Sequence, residues 1–173
     1  TNTAQRRFAV AQGDHLTLYN VYTSFVKAEM GVAWCRDNML NHKALVKAVS
    51  VRKQLAAYLS RFGITTTSSL SSSDVLRVGG TPVEERVRRC LTTGFFAHAA
   101  RMQSDGSFVG GDGKTVLWAH PSSVFFHRKA GWVVYTEVLA TKDKVFIRDL
   151  SVVEREWLVE YAPEYYKVRN RGR

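Results

Sequence analysis

The stretch WVVYTEVLATKDKVFIRDLSVV, Trp132 to Val153, constrains the fold more than any other part of the chain. Trp132 to Leu139 is dense in β-branched and aromatic residues, and Val145 to Leu150 repeats that character. Such side chains suit a pleated, half-buried surface. Between them Ala140, Thr141, Lys142, Asp143 and Lys144 are small or polar enough to turn, so the stretch predicts a β-hairpin. Alternation along the second strand puts Val145, Ile147 and Asp149 on one side and Lys144, Phe146, Arg148 and Leu150 on the other. One face reads as core, the other as a basic surface with an aromatic in it.

Upstream the period changes from two to that of a helix. Asp14 is placed as N-cap of HLTLYNVYTSFVKAEM, where Leu18, Tyr22, Phe25 and Val26 recur at helical spacing. Trp34, Cys35, Met39 and Leu40 predict a second, short helix. A third runs from about His42 to Phe62 with Leu45, Val49, Leu55, Leu59 and Phe62 inward, and Gly63 stops it. Residues 1–12 read as an extended lead-in, residues 63–80 as a Ser/Thr-rich loop, and 167–173 as a basic tail. Thr81, Pro82 and Glu84 then spell N-cap, first helical position and capping box. The helix they open has an apolar stripe of Val83, Val87, Cys90, Leu91, Phe95 and Met102. Gly94 within it costs about 1 kcal/mol relative to Ala, which a close approach by another element would justify.

SFVGGDGKTVLWA reads as two short strands about a glycine-rich turn, followed by HPSSVFF and the hairpin. Helices first and short strands after make the fold class α+β. A small closed or partly open β-barrel is the economical way for so few short strands to hide their edges. The 173 residues, 45% of them hydrophobic, suffice for a real core.

The formal charge of +10 points to an anionic partner, and nucleic acid is the commonest for a basic domain. On the third helix Lys43, Lys47, Arg52, Lys53 and Arg61 also fit an ordinary solvated face. Cys35 and Cys90 sit among apolar neighbours, which predicts buried free thiols and a reducing compartment. No apolar run reaches the length of a membrane span, and the first residues lack the pattern of a signal peptide, so a soluble intracellular chain with no membrane partner is expected.

Candidates for chemistry are few. GGDG at 110–113 joins strand to strand without the lysine, hydroxyl and helix of a phosphate loop, so it reads as a hairpin turn. None of His15, His42, His98, His120 and His127 pairs with another His or Cys at ligand spacing, so no metal site is expected. Ser122 and His120 lack a nucleophile elbow, and no catalytic residue is assigned. Charge, hydroxyls and an aromatic coincide instead on the expected barrel surface, at Ser122, Ser123, Thr141, Lys142, Lys144, Arg148 and Phe146. Phosphates need donors spaced along a strand, and bases need flat partners. The alternative, that Thr141 and Lys142 merely turn the chain and Phe146 is core, stays open.

Several stretches in order carry a family resemblance: GDHLTLYNVY, WCRDNMLNHKAL, VRKQL, VRRCLTTGFFAHAA, HPSSVFF, the hairpin itself and WLVEYAPEYY. Together they resemble the C-terminal region of DEAH-box RNA helicases over nearly the whole chain. The resemblance implies a helical ratchet-like module over residues 13–80 and a helix plus OB-fold over 81–166. It implies that ATP and Mg are cofactors of a parent protein whose RecA-like and winged-helix domains are absent here. No Walker A or DEAH sequence occurs, so the chain is expected to hold no cofactor and to be inactive alone. In the family, single-stranded RNA runs beneath these modules while the motor moves 3′ to 5′. That carries RNA-backbone roles to Asn41, Lys43 and Arg52, and to Ser122, Ser123, Thr141, Lys142 and Arg148, with Trp132 and Tyr135 packing the barrel. The opening RRFAVAQGDH is similar to a spliceosome-associated, nuclear branch activated by a G-patch protein. Asp143 departs from the serine common in the family and sets a negative charge beside the implied groove; the 63–80 stretch has no assigned role. Two other classes fit the same residues: a scaffold docking a helicase regulator through the OB-fold, and a standalone OB-fold binder of single strands.

Overall fold

The computed structural model describes residues 7–64, 77–78 and 81–166; the first half of the lead-in, most of the Ser/Thr-rich loop and the basic tail lie outside the described residues. In chain order the elements are α1 (Asp14–Lys27), α2 (Val32–Asp37), α3 (His42–Arg61), a two-residue ribbon β1 (Arg77–Val78) and β2 (Thr81–Pro82), and α4 (Val83–Phe95). Then come β3 (Ala99–Met102), β4 (Phe108–Gly110), β5 (Val116–Ala119), a 3-10 turn η1 (Val124–Phe126), β6 (Trp132–Ala140), β7 (Val145–Val153) and α5 (Arg155–Tyr161). Two compact units result, Thr1–Phe8 with Leu18–Val83, and Ala9–Thr17 with Glu84–Arg173.

In the second unit the strands close in the order β3-β4-β5-β7-β6. Only β5 and β7 run parallel; the other pairs are antiparallel. A five-stranded Greek-key barrel with that single parallel seam is the OB-fold. Ala100, Phe108, Leu117, Val133, Tyr135, Ile147 and Leu150 fill it. Their strand neighbours Ala99, Val134 and Val153 face outward, into a second core with Trp157 and Leu158 of α5 and with Leu91 and Phe95 of α4. Burying both faces of these strands explains their unbroken apolar runs. The Arg88 and Arg89 guanidiniums lie 5.1 and 4.6 Å from the Trp157 ring centroid, and Arg89 is tied to Glu85 at 2.8 Å and Glu160 at 3.2 Å.

The hairpin forms as expected, with β6 and β7 paired from Trp132↔Val153 to Ala140↔Val145. Its alternation breaks, however, at Asp149, whose φ of 54° lies in the left-handed region. The ladder skips the pair that Asp149 would make. Past that residue the inward positions shift by one, so Leu150 joins Ile147 in the barrel core rather than facing outward.

Other expectations are corrected. α4 ends at Phe95, and Ala99–Met102 is a strand. Ala99 and Ala100 are fully buried, one in each core; packing overrides alanine's helix preference. Pro82 lies in β2, paired with Arg77, and α4 begins one residue later, at Val83. Nothing lies within 4 Å of a Cβ built on Gly94, so no close approach explains that glycine. Cys35 is buried, and burial pushes its thiol up, but Cys90 is exposed.

In the first unit α1 buries Val21 and Phe25, while Leu18 and Val26 stand exposed. The Phe25 ring meets Trp34 of α2 and His42 of α3 at 6.2 and 5.8 Å. α3 has no fully buried residue: Leu45 and Val49 are half-buried, and Leu55, Leu59 and Phe62 are exposed at 57, 39 and 80% rather than inward. The apolar arc of α3 is wider than the part its neighbours in the unit cover. Gly63, with φ 72°, ends it as expected.

Residues 9–17 belong to the barrel unit as a strap. Gln12 accepts from the Val152 amide at 2.9 Å, and Gly13 bridges to Ser151. A Cβ on Gly13 would strike the Leu150 carbonyl oxygen and stand 2.7 Å from Ser151 Cα, and its φ of 142° also excludes most side chains. Asp14 does not cap its own helix; its buried carboxylate accepts from Ser123 Oγ at 2.7 Å and from the Val124 and Leu150 amides, each at 2.8 Å.

Candidate nucleic-acid interface

The parallel seam decides what lies beside what. Trp118 pairs with Phe146 and Ala119 with Ile147, so β5 delivers the HPSS turn directly alongside β7. The His120 amide donates to the Ile147 carbonyl at 2.9 Å, and the Ser123 amide closes the turn on the His120 carbonyl at 2.8 Å. Phe146 is not core: its neighbours Val145 and Ile147 pack the barrel, and it faces outward, half-buried. Arg148 lies on the same outer side and pairs with Glu137 across the strands at 3.3 Å. From Ile147 the strand rise of about 3.3 Å per residue carries the chain roughly 10 Å to Lys144, and Lys142 lies just beyond it in the hairpin tip.

The three classes of expected site residue fare differently. The hydroxyls serve the fold. Ser122 Oγ lies 2.7 Å from His120 Nδ1, which also accepts from the Ser122 amide at 3.1 Å. Nδ1 therefore acts as the ring's acceptor in this turn, and Nε2 is the nitrogen left to donate. Ser123 is buried; its hydroxyl donates to Asp14 and accepts from the Phe125 amide. Thr141 Oγ1 donates to the Lys144 carbonyl at 2.8 Å and accepts from the Lys144 amide, closing the hairpin tip. Among these barrel residues the cations Lys142, Lys144 and Arg148 remain as donors to an outside anion. Lys144 holds its ammonium 4.1 Å from the Trp118 ring centroid.

The remaining three belong to the helical unit. Asn41 caps α3, its side chain accepting from the Ala44 amide at 3.1 Å. Lys43 is exposed, and the Arg52 guanidinium sits 6.0 Å from the Tyr22 ring. The helical repeat sets Lys43 and Arg52 about 180° apart, so they do not form one stripe.

The GGDG stretch is a hairpin turn. Asp112 accepts from the Lys114 and Thr115 amides and the Thr115 hydroxyl, which hold its carboxyl down at about 2. The Lys114 and Thr115 amides are thus taken by that carboxylate, and the Gly110, Gly111 and Gly113 amides by the Thr115, Ala99 and Gly110 carbonyls. His98 is exposed and stacks on Tyr135, with centroids 5.2 Å and planes 3° apart. Among the described residues no three His, Cys, Asp or Glu side chains come together as a metal-holding group, and no helix is long and apolar enough to cross a membrane.

The sequence reading left Trp118 and Leu139 out of this face. A signal was available: in VLWA, Leu117 and Ala119 are core, so Trp118 between them must point away.

Comparison with known proteins agrees with the barrel fold. Residues 87–165 match the family described as oligonucleotide/oligosaccharide-binding (OB)-fold. Over 163 residues, 94% of the chain, it is 39% identical to "Probable ATP-dependent RNA helicase DHX35" of Homo sapiens, covering 22% of that protein. It is 37% identical, again over 94% of its length, to the human "ATP-dependent RNA helicase DHX33", covering 21%. A "Putative pre-mRNA-splicing factor ATP-dependent RNA helicase" of Schizosaccharomyces pombe is 34% identical over 91% of the chain and 23% of its own length. The chain thus spans about a fifth of the length of these relatives. By sequence over nearly all its length, and by fold over the barrel, it matches the C-terminal, OB-fold-containing region of DEAH-box ATP-dependent RNA helicases.

Proposed function

We propose that this chain is an RNA-holding module of a DEAH-box RNA helicase. It grips single-stranded RNA while the ATP- and Mg-dependent, 3′ to 5′ motor of a longer parent protein moves it, in nuclear pre-mRNA splicing or related remodelling. The observation that carries the reading is the outer side of β7, where strand alternation sets Arg148 on the same side as Lys144, with Lys142 beyond them at the hairpin tip. Cations spaced along a strand suit a run of phosphates, whose neutralisation makes binding fall with salt. The partners in this reading are RNA, the RecA-like and winged-helix domains of the parent, and a G-patch activator. Fluorescence anisotropy with a labelled single-stranded RNA tests it. Lys142→Ala and Arg148→Ala should each weaken binding and reduce the slope of log K against log salt by ~0.7 for each phosphate left without its cation. Unchanged affinity and slope in both variants would sink the assignment.

A protein-docking reading has its own observation. Val51, Leu55, Tyr58 and Phe62 form an exposed apolar stripe along α3, suited to another protein domain rather than to RNA. Capture of a G-patch protein by the chain that survives nuclease treatment, and is lost in Leu55→Asp, supports that reading; capture that disappears with the RNA refutes it.

A further inference from the structure

The outer side of the barrel carries a flat row that neither phosphate binding nor core packing uses. Cross-strand partners share a face, and the register runs Leu139↔Phe146 between β6 and β7 and Phe146↔Trp118 between β7 and β5. The three side chains therefore stand side by side, on strands about 4.8 Å apart. Leu139 is 40% exposed, and Phe146 and Trp118 are half-buried, none of them in either core. His120 braces Phe146 edge-on, with centroids 6.1 Å and planes 82° apart. The Lys144 ammonium covers the indole face at 4.1 Å, on a flexible stem that can swing away.

We propose that this row is a stacking platform for an unpaired nucleobase. The base takes the indole face now covered by Lys144, Phe146 and Leu139 extend the surface, and the displaced ammonium moves to the adjoining phosphate. Aromatic stacking is tolerant of base identity because every base has a π face. A cation already resting on the ring places phosphate and base recognition within one side chain's reach. A chain of net charge +10 favours a polyanion over an apolar peptide here. The inference rests on the RNA-holding reading and deepens it by naming where bases, rather than phosphates, are felt.

The test compares two strands of equal length and charge, oligoadenylate and a ribose-phosphate strand lacking bases, by anisotropy with the whole chain. The wild type should prefer the base-bearing strand. Trp118→Leu should weaken that strand ~5- to 150-fold, the range for one missing stack, leaving the abasic strand and the salt slope unchanged; Trp118→Phe should retain most of the affinity. A mutation-free arm uses 4-thiouridine strands, whose photocrosslinks should map to the peptides carrying Trp118 or Phe146. Equal wild-type binding of both strands, equal loss of both in Trp118→Leu, or crosslinks confined elsewhere overturns the platform while leaving phosphate binding intact, and leaves the row to protein contacts. Failure to bind either strand sinks the RNA-holding reading itself, and the platform with it.

Discussion

Replacing Asp14 with alanine removes a buried carboxylate that holds three donors from two distant parts of the barrel unit. A hydrogen bond to a charged group contributes ~1.5–3 kcal/mol. Three such bonds do not add fully, because they share one acceptor group, and water entering the vacated space satisfies part of the loss. The expected destabilisation is therefore about 4 kcal/mol, a large share of the ~5–15 kcal/mol that holds a typical domain together. At ~2–4 °C per kcal/mol for a chain of this size, the chain's melting transition should fall by roughly 8–16 °C. Asp14→Asn gives an internal control. Oδ2 accepts from both Ser123 and Leu150 and Oδ1 from Val124 alone, so an amide that keeps its oxygen at the first position loses one bond rather than three. Its effect should be about half that of alanine. Urea unfolding followed by near-ultraviolet circular dichroism reads both, with Ser123→Ala completing a double-mutant cycle. An alanine variant within about 0.5 kcal/mol of wild type, below what even one such bond contributes, would refute the reasoning.

Two further outcomes follow from the same unit. Gly94→Ala adds a methyl where nothing lies within 4 Å, so it should stabilise α4 by ~0.5–1 kcal/mol; a lower melting temperature in the variant would contradict that. Burial holds the His15 imidazole below its ordinary value of 6.5, against the pull of Asp149 and Asp14, so the folded state favours the neutral ring. This contribution to stability is complete above pH ~6.5 and is lost as pH falls from there through the lowered value. His15→Gln should flatten that limb of a melting-temperature profile; a wild-type profile that is level on the acid side of 6.5 disproves it.

What the residues reveal depends on how far away their reasons lie. The hairpin is legible because its alternation is local, and the α+β order and barrel follow from it. Asp149 spoils the alternation for Leu150, since its left-handed backbone leaves no mark in a one-residue reading. Ala99 and Ala100 read as helix because alanine favours helices; only the two cores pressing on them make them strand. Asp14 reads as an N-cap because the residues it serves, Ser123 and Leu150, lie 109 and 136 positions away. Ser122 and Ser123 are indistinguishable in HPSS, yet one turns to His120 and the other is buried on Asp14. The apolar period of α3 is real, but a period states that a face wants cover, not which neighbour supplies it.

The strap at residues 9–17 gives the barrel unit an interrupted gene order, with residues 18–83 of the helical unit encoded between its two parts. On a ribosome, Asp14 emerges first and waits 136 codons for the Leu150 amide it must accept. At ~5–20 residues per second that is roughly 7–27 s. During that time a carboxylate built to be buried stays in water, and the helical unit has time to fold before the barrel can close.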